Sequence, residues 1–210
     1  MEIISKPNLI ENKSFEIISR LLPDLKLPYA QKEVVKRVIH ATTELSYVKD
    51  LSFHPRAITA GLKAIRNGKD IFCDVSMVQA GINKKALSLF GGKARCFINN
   101  KDVIIKSAKL KIAKAIVSMQ KAASSMDGAI VAIGNAPTAL FELCDLVKRG
   151  KVKPALIIGV PVGFVGAVES KKALSTLKVP YITNSSTKGG SSVAAACVNA
   201  LLKIADKRKK

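Results

Sequence analysis

Residues 127–166, DGAIVAIGNAPTALFELCDLVKRGKVKPALIIGVPVGFVG, decide the fold. Ala129 to Ile133 is an apolar run too short for a helix, and it ends in the turn Gly134-Asn135-Ala136-Pro137. Pro137 stands where the first residue of a helix belongs, and Gly150 marks that helix's stop. A second apolar run, Ala155 to Val160, follows. Strand, helix and strand with Gly and Pro at the joints form a βαβ unit, which demands parallel strands and a right-handed crossover.

The alternation extends outward from this unit. Ile71 to Val75, Ala94 to Ile98 and Tyr181 to Thr183 read as further buried strands. Ala108, Ile112, Ala115, Ile116 and Met119 mark one face of a single long helix with lysines opposite, and Val193 to Ile204 reads as another helix. The first 68 residues hold three helical patterns and no convincing strand; the clearest is Pro55 to Asn67, with Pro55 at its start and Gly68 at its stop. No Ser- or Gly-rich linker separates the two regions. The expectation is an α/β protein: a parallel sheet flanked by helices in a single domain, 1–210, with 1–68 mainly helical and 69–210 built of βαβ repeats.

Composition agrees. Hydrophobic residues make up 48% of the chain, aromatics 5%, and there is no Trp, so the core must come from Val, Ile, Leu and Ala. Cys73, Cys96, Cys144 and Cys197 lie far apart in apolar runs without a CxxC pair, which suits free thiols in a reducing cytoplasm. Glu2, Lys6, Glu11 and Lys13 leave no apolar core for a secretory signal. Pro154 to Val168, the longest charge-free stretch, is broken by Pro161 and glycines, so no membrane span is expected. The tail Lys207-Arg208-Lys209-Lys210 reads as frayed terminus.

Lys and Arg number 35 against 15 Asp and Glu, a formal charge of +20. Such a surplus fits nucleic acid, an anionic membrane or a polyanionic small substrate, or simply a solvated lysine-rich surface. Three strand ends run into loops of small residues: Gly134 to Thr138, Gly159 to Gly166, and Asn184 to Ser192. Ligands of parallel sheets bind at such ends, and glycines let backbone amides approach an anion, though they also serve plain tight turns. Lys188-Gly189-Gly190, ahead of a helix start, offers a charge and amides to a carboxylate or phosphate, which capping by Ser191 or Ser192 alone does not explain. Neither GxGxxG nor a P-loop is present, which disfavours a nucleotide-dependent enzyme.

Two histidines limit acid–base chemistry near neutral pH. His54 precedes Pro55 at a helix start and has no evident chemical role. His40 follows Arg37 by three residues, on the same helix face, where the pair could hold an acidic substrate and exchange a proton; a histidine at a helix end also commonly serves packing. No His/Cys cluster has metal-ligand spacing, and no GxSxG or HExxH occurs. The residues alone describe an α/β protein with a crevice for a multiply anionic ligand and one candidate proton donor.

Several segments together resemble the precorrin-8X methylmutase family, also described as cobalt-precorrin-8 methylmutases. They are Lys13-Ser14-Phe15-Glu16-Ile17-Ile18, Val38-Ile39-His40-Ala41-Thr42, Asp70-Ile71-Phe72-Cys73-Asp74 with Met77-Val78, and Ile133-Gly134-Asn135-Ala136-Pro137-Thr138. Gly159 to Ala167 with Glu169-Ser170-Lys171, and Gly189-Gly190-Ser191, complete the likeness. The resemblance implies a cofactor-free isomerase of cobalamin biosynthesis, and the composition a soluble, cytoplasmic protein. It would move a methyl group from C-11 to C-12 of a corrin-type tetrapyrrole, and would act as a homodimer. His40 would be the general acid, with Ser14, Arg37, Lys188, Gly189 and Gly190 touching substrate. Thr187 and Lys106 depart from the family's basic residues; Lys106 keeps the charge without arginine's bidentate fork. A basic nucleic-acid-binding protein is the competing reading, but the chain has seven Phe, three Tyr and lysines spread throughout, with no recognised motif.

Overall fold

The computed structural model describes residues 6–22 and 25–206; Glu2 and the tail 207–210 lie outside them. The order is α1 (Pro7–Leu21), α2 (Tyr29–Thr42), α3 (Tyr47–Asp50), β1 (Leu51–Phe53), α4 (Ala57–Arg66) and β2 (Ile71–Cys73). Next come α5 (Ser76–Gly81), α6 (Lys84–Ser88), β3 (Ala94–Cys96), α7 (Lys101–Leu110), α8 (Lys114–Ala122) and β4 (Ile130–Ile133). The chain ends with α9 (Pro137–Lys148), β5 (Leu156–Gly159), α10 (Ala167–Ser175), β6 (Tyr181–Asn184) and α11 (Ser191–Asp206). The strands form a six-stranded sheet in the order β1-β6-β5-β4-β2-β3, parallel except where β1 pairs with β6.

Each buried strand feeds two cores, because successive side chains point to opposite faces. Ile130 and Ala132 join Ile71, Leu156, Ile158 and Ile182 on the α11 side. Val131 and Ile133 join Phe72, Ile157, Leu140 and Leu143 on the α9 side. Helix α11 lies against β4 and β5, α2 packs along α11, and α1 packs along α2. Almost every residue from Val193 to Ala205 on α11 is buried, as a helix covered on several sides requires. No helix among the described residues is long and apolar enough to cross a membrane.

The five strands legible in the sequence are all present, most of them trimmed by a residue or two. Three local expectations change. The first 68 residues do contain a strand: β1 adds Leu51, Ser52 and Phe53 to the sheet edge opposite Asn184, Thr183 and Ile182. Pro55 occupies a turn ahead of α4 instead of its first position. The single helix expected through Ala108 and Met119 is two. Lys111 adopts a left-handed conformation (φ 52°), and the Ile112 amide turns back to Ser107 O. That is a helix-terminating arrangement, and it restarts the apolar face at α8.

Candidate active site

Helix α2 buries Val34, Val35, Val38 and Ile39. With those positions committed to packing, Arg37 and His40 are left on the flank, one turn apart and half-buried. Helix α1 meets that flank. Ser14 Oγ lies 2.7 Å from His40 Nδ1, and the Phe15 ring is 5.4 Å from the imidazole. The Arg37 guanidinium sits 4.5 Å over the Phe15 ring and donates to Glu11 Oε1 at 2.6 Å. Lys203, from the last turn of α11, donates to the same Glu11 oxygen at 2.5 Å and lies 5.5 Å over Phe15. Lys203's hydrogen bond, opposed by partial burial and aided by Arg37, draws the Glu11 carboxyl down to about 2. A cavity of about 300 Å³ beside this cluster is lined by Glu11, Arg37, Asn83, Asn199 and Lys203. Ser14, Arg37 and His40 are therefore brought together, and Glu11 and Lys203 join them without having been singled out in the sequence.

Just past His40, α2 stops at Thr43 in a left-handed conformation (φ 56°). The turn that follows carries Glu44 and Ser46, and these hold Lys188: its Nζ is 3.1 Å from Glu44 Oε2 and 2.7 Å from Ser46 Oγ. The Ser46 amide and then Lys188 draw the Glu44 carboxyl down to about 2. Residues 40–46 thus connect the histidine cluster to the Lys188 loop. Lys106, by contrast, donates to Gln120 Oε1 at 3.4 Å.

The three glycine-bearing loops do converge. The Gly163 amide donates to Thr187 O at 3.1 Å and the Gly190 amide to Val160 O at 2.9 Å. Gly189 has φ 151°, and a Cβ there would sit 2.2 Å from Val160 O; one on Gly134 would sit 2.8 Å from Gly190 O. Both positions need a residue without a side chain.

Their amides, however, are largely committed within the protein. Asp74 is fully buried at the end of β2, and its carboxylate accepts from the amides of Gly134 (3.1 Å), Asn135 (2.8 Å) and Ala136 (2.8 Å). Burial is the largest influence on this carboxyl and pushes it up, against the pull of those amides. The start of α9, at the point where strand order reverses between β2 and β4, is the usual ligand crevice of such sheets, and here an internal carboxylate fills it. Asp50 does the same for the third loop, accepting from the amides and hydroxyls of Ser185 and Ser186. The expectation that loop amides stand free for an external anion is corrected accordingly. Arg37 and Lys203 are paired with Glu11, and Lys188 with Glu44, as exposed or half-buried ion pairs.

His54 lies elsewhere, its Nδ1 accepting from the Arg56 amide at 3.1 Å and its ring edge-on to Tyr181. The four cysteines are free; burial pushes Cys144 up to about 11 and Cys197 up to about 12, away from thiolate chemistry.

Comparison with known proteins adds the family. The family model described as precorrin-8X methylmutase matches residues 9–204. A cobalt-precorrin-8 methylmutase of Priestia megaterium is 48% identical, over 96% of this chain and 89% of its own. A precorrin-8X methylmutase of Pseudomonas aeruginosa is 38% identical, over 96% of this chain and 97% of its own. The crystal structure of a precorrin-8x methyl mutase from Thermus thermophilus superposes with a TM-score of 0.91 at 35% identity, covering 96% of this chain and 97% of that one. With the fold and nearly the full length in agreement, this chain belongs to the precorrin-8X methylmutase family.

Proposed function

We propose that this protein moves a methyl group from C-11 to C-12 of precorrin-8X or cobalt-precorrin-8, giving hydrogenobyrinate or cobyrinate, with His40 as the general acid. Membership of the family makes it an intramolecular methyl-transferring isomerase of cobalamin biosynthesis. The assignment of roles rests chiefly on the 2.7 Å contact between Ser14 Oγ and His40 Nδ1. When the imidazole is protonated, Nδ1–H donates to Ser14 Oγ, and Nε2–H is left to protonate the macrocycle. Because the reaction is an isomerisation, the proton added at one macrocycle atom is given back as the product's double bonds re-form, so one residue serves both steps.

Arg37 and Lys188 would bind the substrate's acetate and propionate carboxylates, exchanging their internal partners Glu11 and Glu44 for them. Gly189 and Gly190 would allow the backbone to lie close to the macrocycle, since the Gly190 amide is already engaged. No cofactor is needed for the shift. We place the enzyme in the cytoplasm, where its free thiols persist. A homodimer accounts for Phe164 and Val165, which are 95% and 88% exposed on the loop after β5.

The test is conversion. Purified protein is mixed with precorrin-8X and, separately, with cobalt-precorrin-8, and the visible spectrum is followed to product. Turnover of one or both is expected; turnover of neither, by folded protein, would refute the assignment.

A further inference from the structure

Lys171, on α10, is the buried cation that the proposed reaction leaves unused. The residue is 2% exposed, and its Nζ donates to two backbone carbonyls, Ser186 O and Lys188 O, each at 2.6 Å. Burial pushes the amine down to about 8, and the charge of Asp50 works against that fall. An ammonium is seldom enclosed unless its partners need it. Here the need is visible: two carbonyl oxygens converge on one point and would repel each other without a cation between them.

The carbonyls belong to peptides beside the Lys188 side chain. A trans peptide is planar, with N–H opposite C=O. Holding Ser186 O and Lys188 O inward therefore turns the Thr187 and Gly189 amides the other way. Asp50 grips the same loop by its donors: the Ser185 amide and hydroxyl at 2.8 Å each, the Ser186 amide at 3.0 Å and hydroxyl at 2.5 Å, and Asn184 Nδ2 at 2.9 Å. One full charge thus binds the loop's acceptors and the opposite charge binds its donors. Flipping either peptide takes away one of the two oxygens that hold the buried Lys171 ammonium, and flipping Lys188–Gly189 also takes Lys188 O from Asn184 Nδ2, 2.9 Å away, which is costly.

We propose that Lys171, together with Asp50, is a positioning residue that fixes the Ser186–Thr187 and Lys188–Gly189 peptides and thereby aims the Lys188 ammonium at the substrate. The proposal rests on Lys188 being a substrate contact. Neither Lys171 nor Asp50 is asked to touch the reacting atoms.

The experiment compares KM and kcat for the wild type, Lys171→Met, Asp50→Asn, Lys188→Ala and the double variant Lys171→Met/Lys188→Ala, with hydrogen exchange of the same proteins. Losing a charge-assisted contact that holds the loop should raise KM about tenfold in Lys171→Met, with kcat changed by no more than about twofold. Exchange should quicken in residues 185–190 and not in the sheet. Because Lys171 acts through Lys188, the double variant should raise KM by less than the product of the two single effects. Independent, multiplicative effects, or unchanged exchange in 185–190, would overturn the proposal. If Lys171→Met does not fold, Asp50→Asn is held to the same criteria with the lysine in place. If the wild type converts neither corrinoid, the functional reading fails, while the exchange measurement still decides whether Lys171 orders the loop.

Discussion

Ser14 and His40 show how one hydrogen bond divides the two nitrogens of an imidazole into different tasks. With Nδ1 committed to the Ser14 hydroxyl at 2.7 Å, proton exchange with a substrate falls to Nε2. Replacing His40 by Ala should lower kcat by about 10² to 10⁴, the usual worth of general acid catalysis, while product still binds through the cationic side chains. Near-normal turnover by a folded His40→Ala protein would remove the proton-donor mechanism and leave only the binding roles. His54→Ala is the control, because that ring is occupied with the Arg56 amide and Tyr181 away from the cluster. Arg37 and Lys188 make a different prediction. Each should bind substrate and transition state alike, so Arg37→Ala and Lys188→Ala should raise KM about tenfold and leave kcat nearly unchanged. A fall in kcat at saturating substrate with KM intact would mean that the residue takes part in the chemical step.

Helix α1 carries Ser14, and its docking on α2 depends on a polar cluster as well as on the buried Ile18. Glu11 anchors that cluster with its carboxyl lowered to about 2, through Lys203 first and Arg37 after burial's opposing effect. A carboxylate whose folded value lies below its unfolded value of about 4.3 contributes stability above that pH and loses it as pH falls through the folded value. Amide NMR signals of residues 7–21 should therefore shift or weaken between pH of about 4 and 2 before those of the sheet, and Glu11→Gln should remove the transition. The effect should stay local, because the Glu11 side chain is 33% exposed and solvent screens it. Simultaneous loss of α1 and sheet signals would contradict it. The same scale explains what the sequence disclosed. Short apolar runs, four of the five bounded by Gly or Pro, made β2 to β6 legible, and the three-residue spacing put Arg37 beside His40. β1 was not legible, since Leu51-Ser52-Phe53 is a three-residue edge strand with no period of its own. Ser14 was visible only by family resemblance. Asp50 was not visible at all, because its partner Ser185 is 135 positions further along the chain.

Across the whole molecule, the charge balance acquires a structural meaning. The chain has only 15 acidic residues, and several of those that could have faced outward are turned to internal use. Asp74 holds the loop before α9, Asp50 holds the loop before α11, Glu11 pairs with Arg37 and Lys203, and Glu44 pairs with Lys188. The formal +20 is therefore carried by lysines and arginines distributed along the chain, some of them in the cluster around His40. A ligand bearing many carboxylates can meet such charges one at a time, whereas duplex DNA requires a continuous row matched to its phosphates. Binding of a polycarboxylate corrinoid should accordingly weaken as salt is added, and converting its carboxylates to amides should remove both the affinity and the salt dependence. Duplex DNA at physiological salt should bind no better than the non-specific range of roughly 10⁻⁴ to 10⁻⁶ M. Titrations of the three ligands at two salt concentrations, read by the corrinoid spectrum and by fluorescence anisotropy of labelled DNA, check this directly. Salt-resistant corrinoid binding, or DNA binding tighter than that range, would mean that the surplus charge evolved for a partner other than the tetrapyrrole.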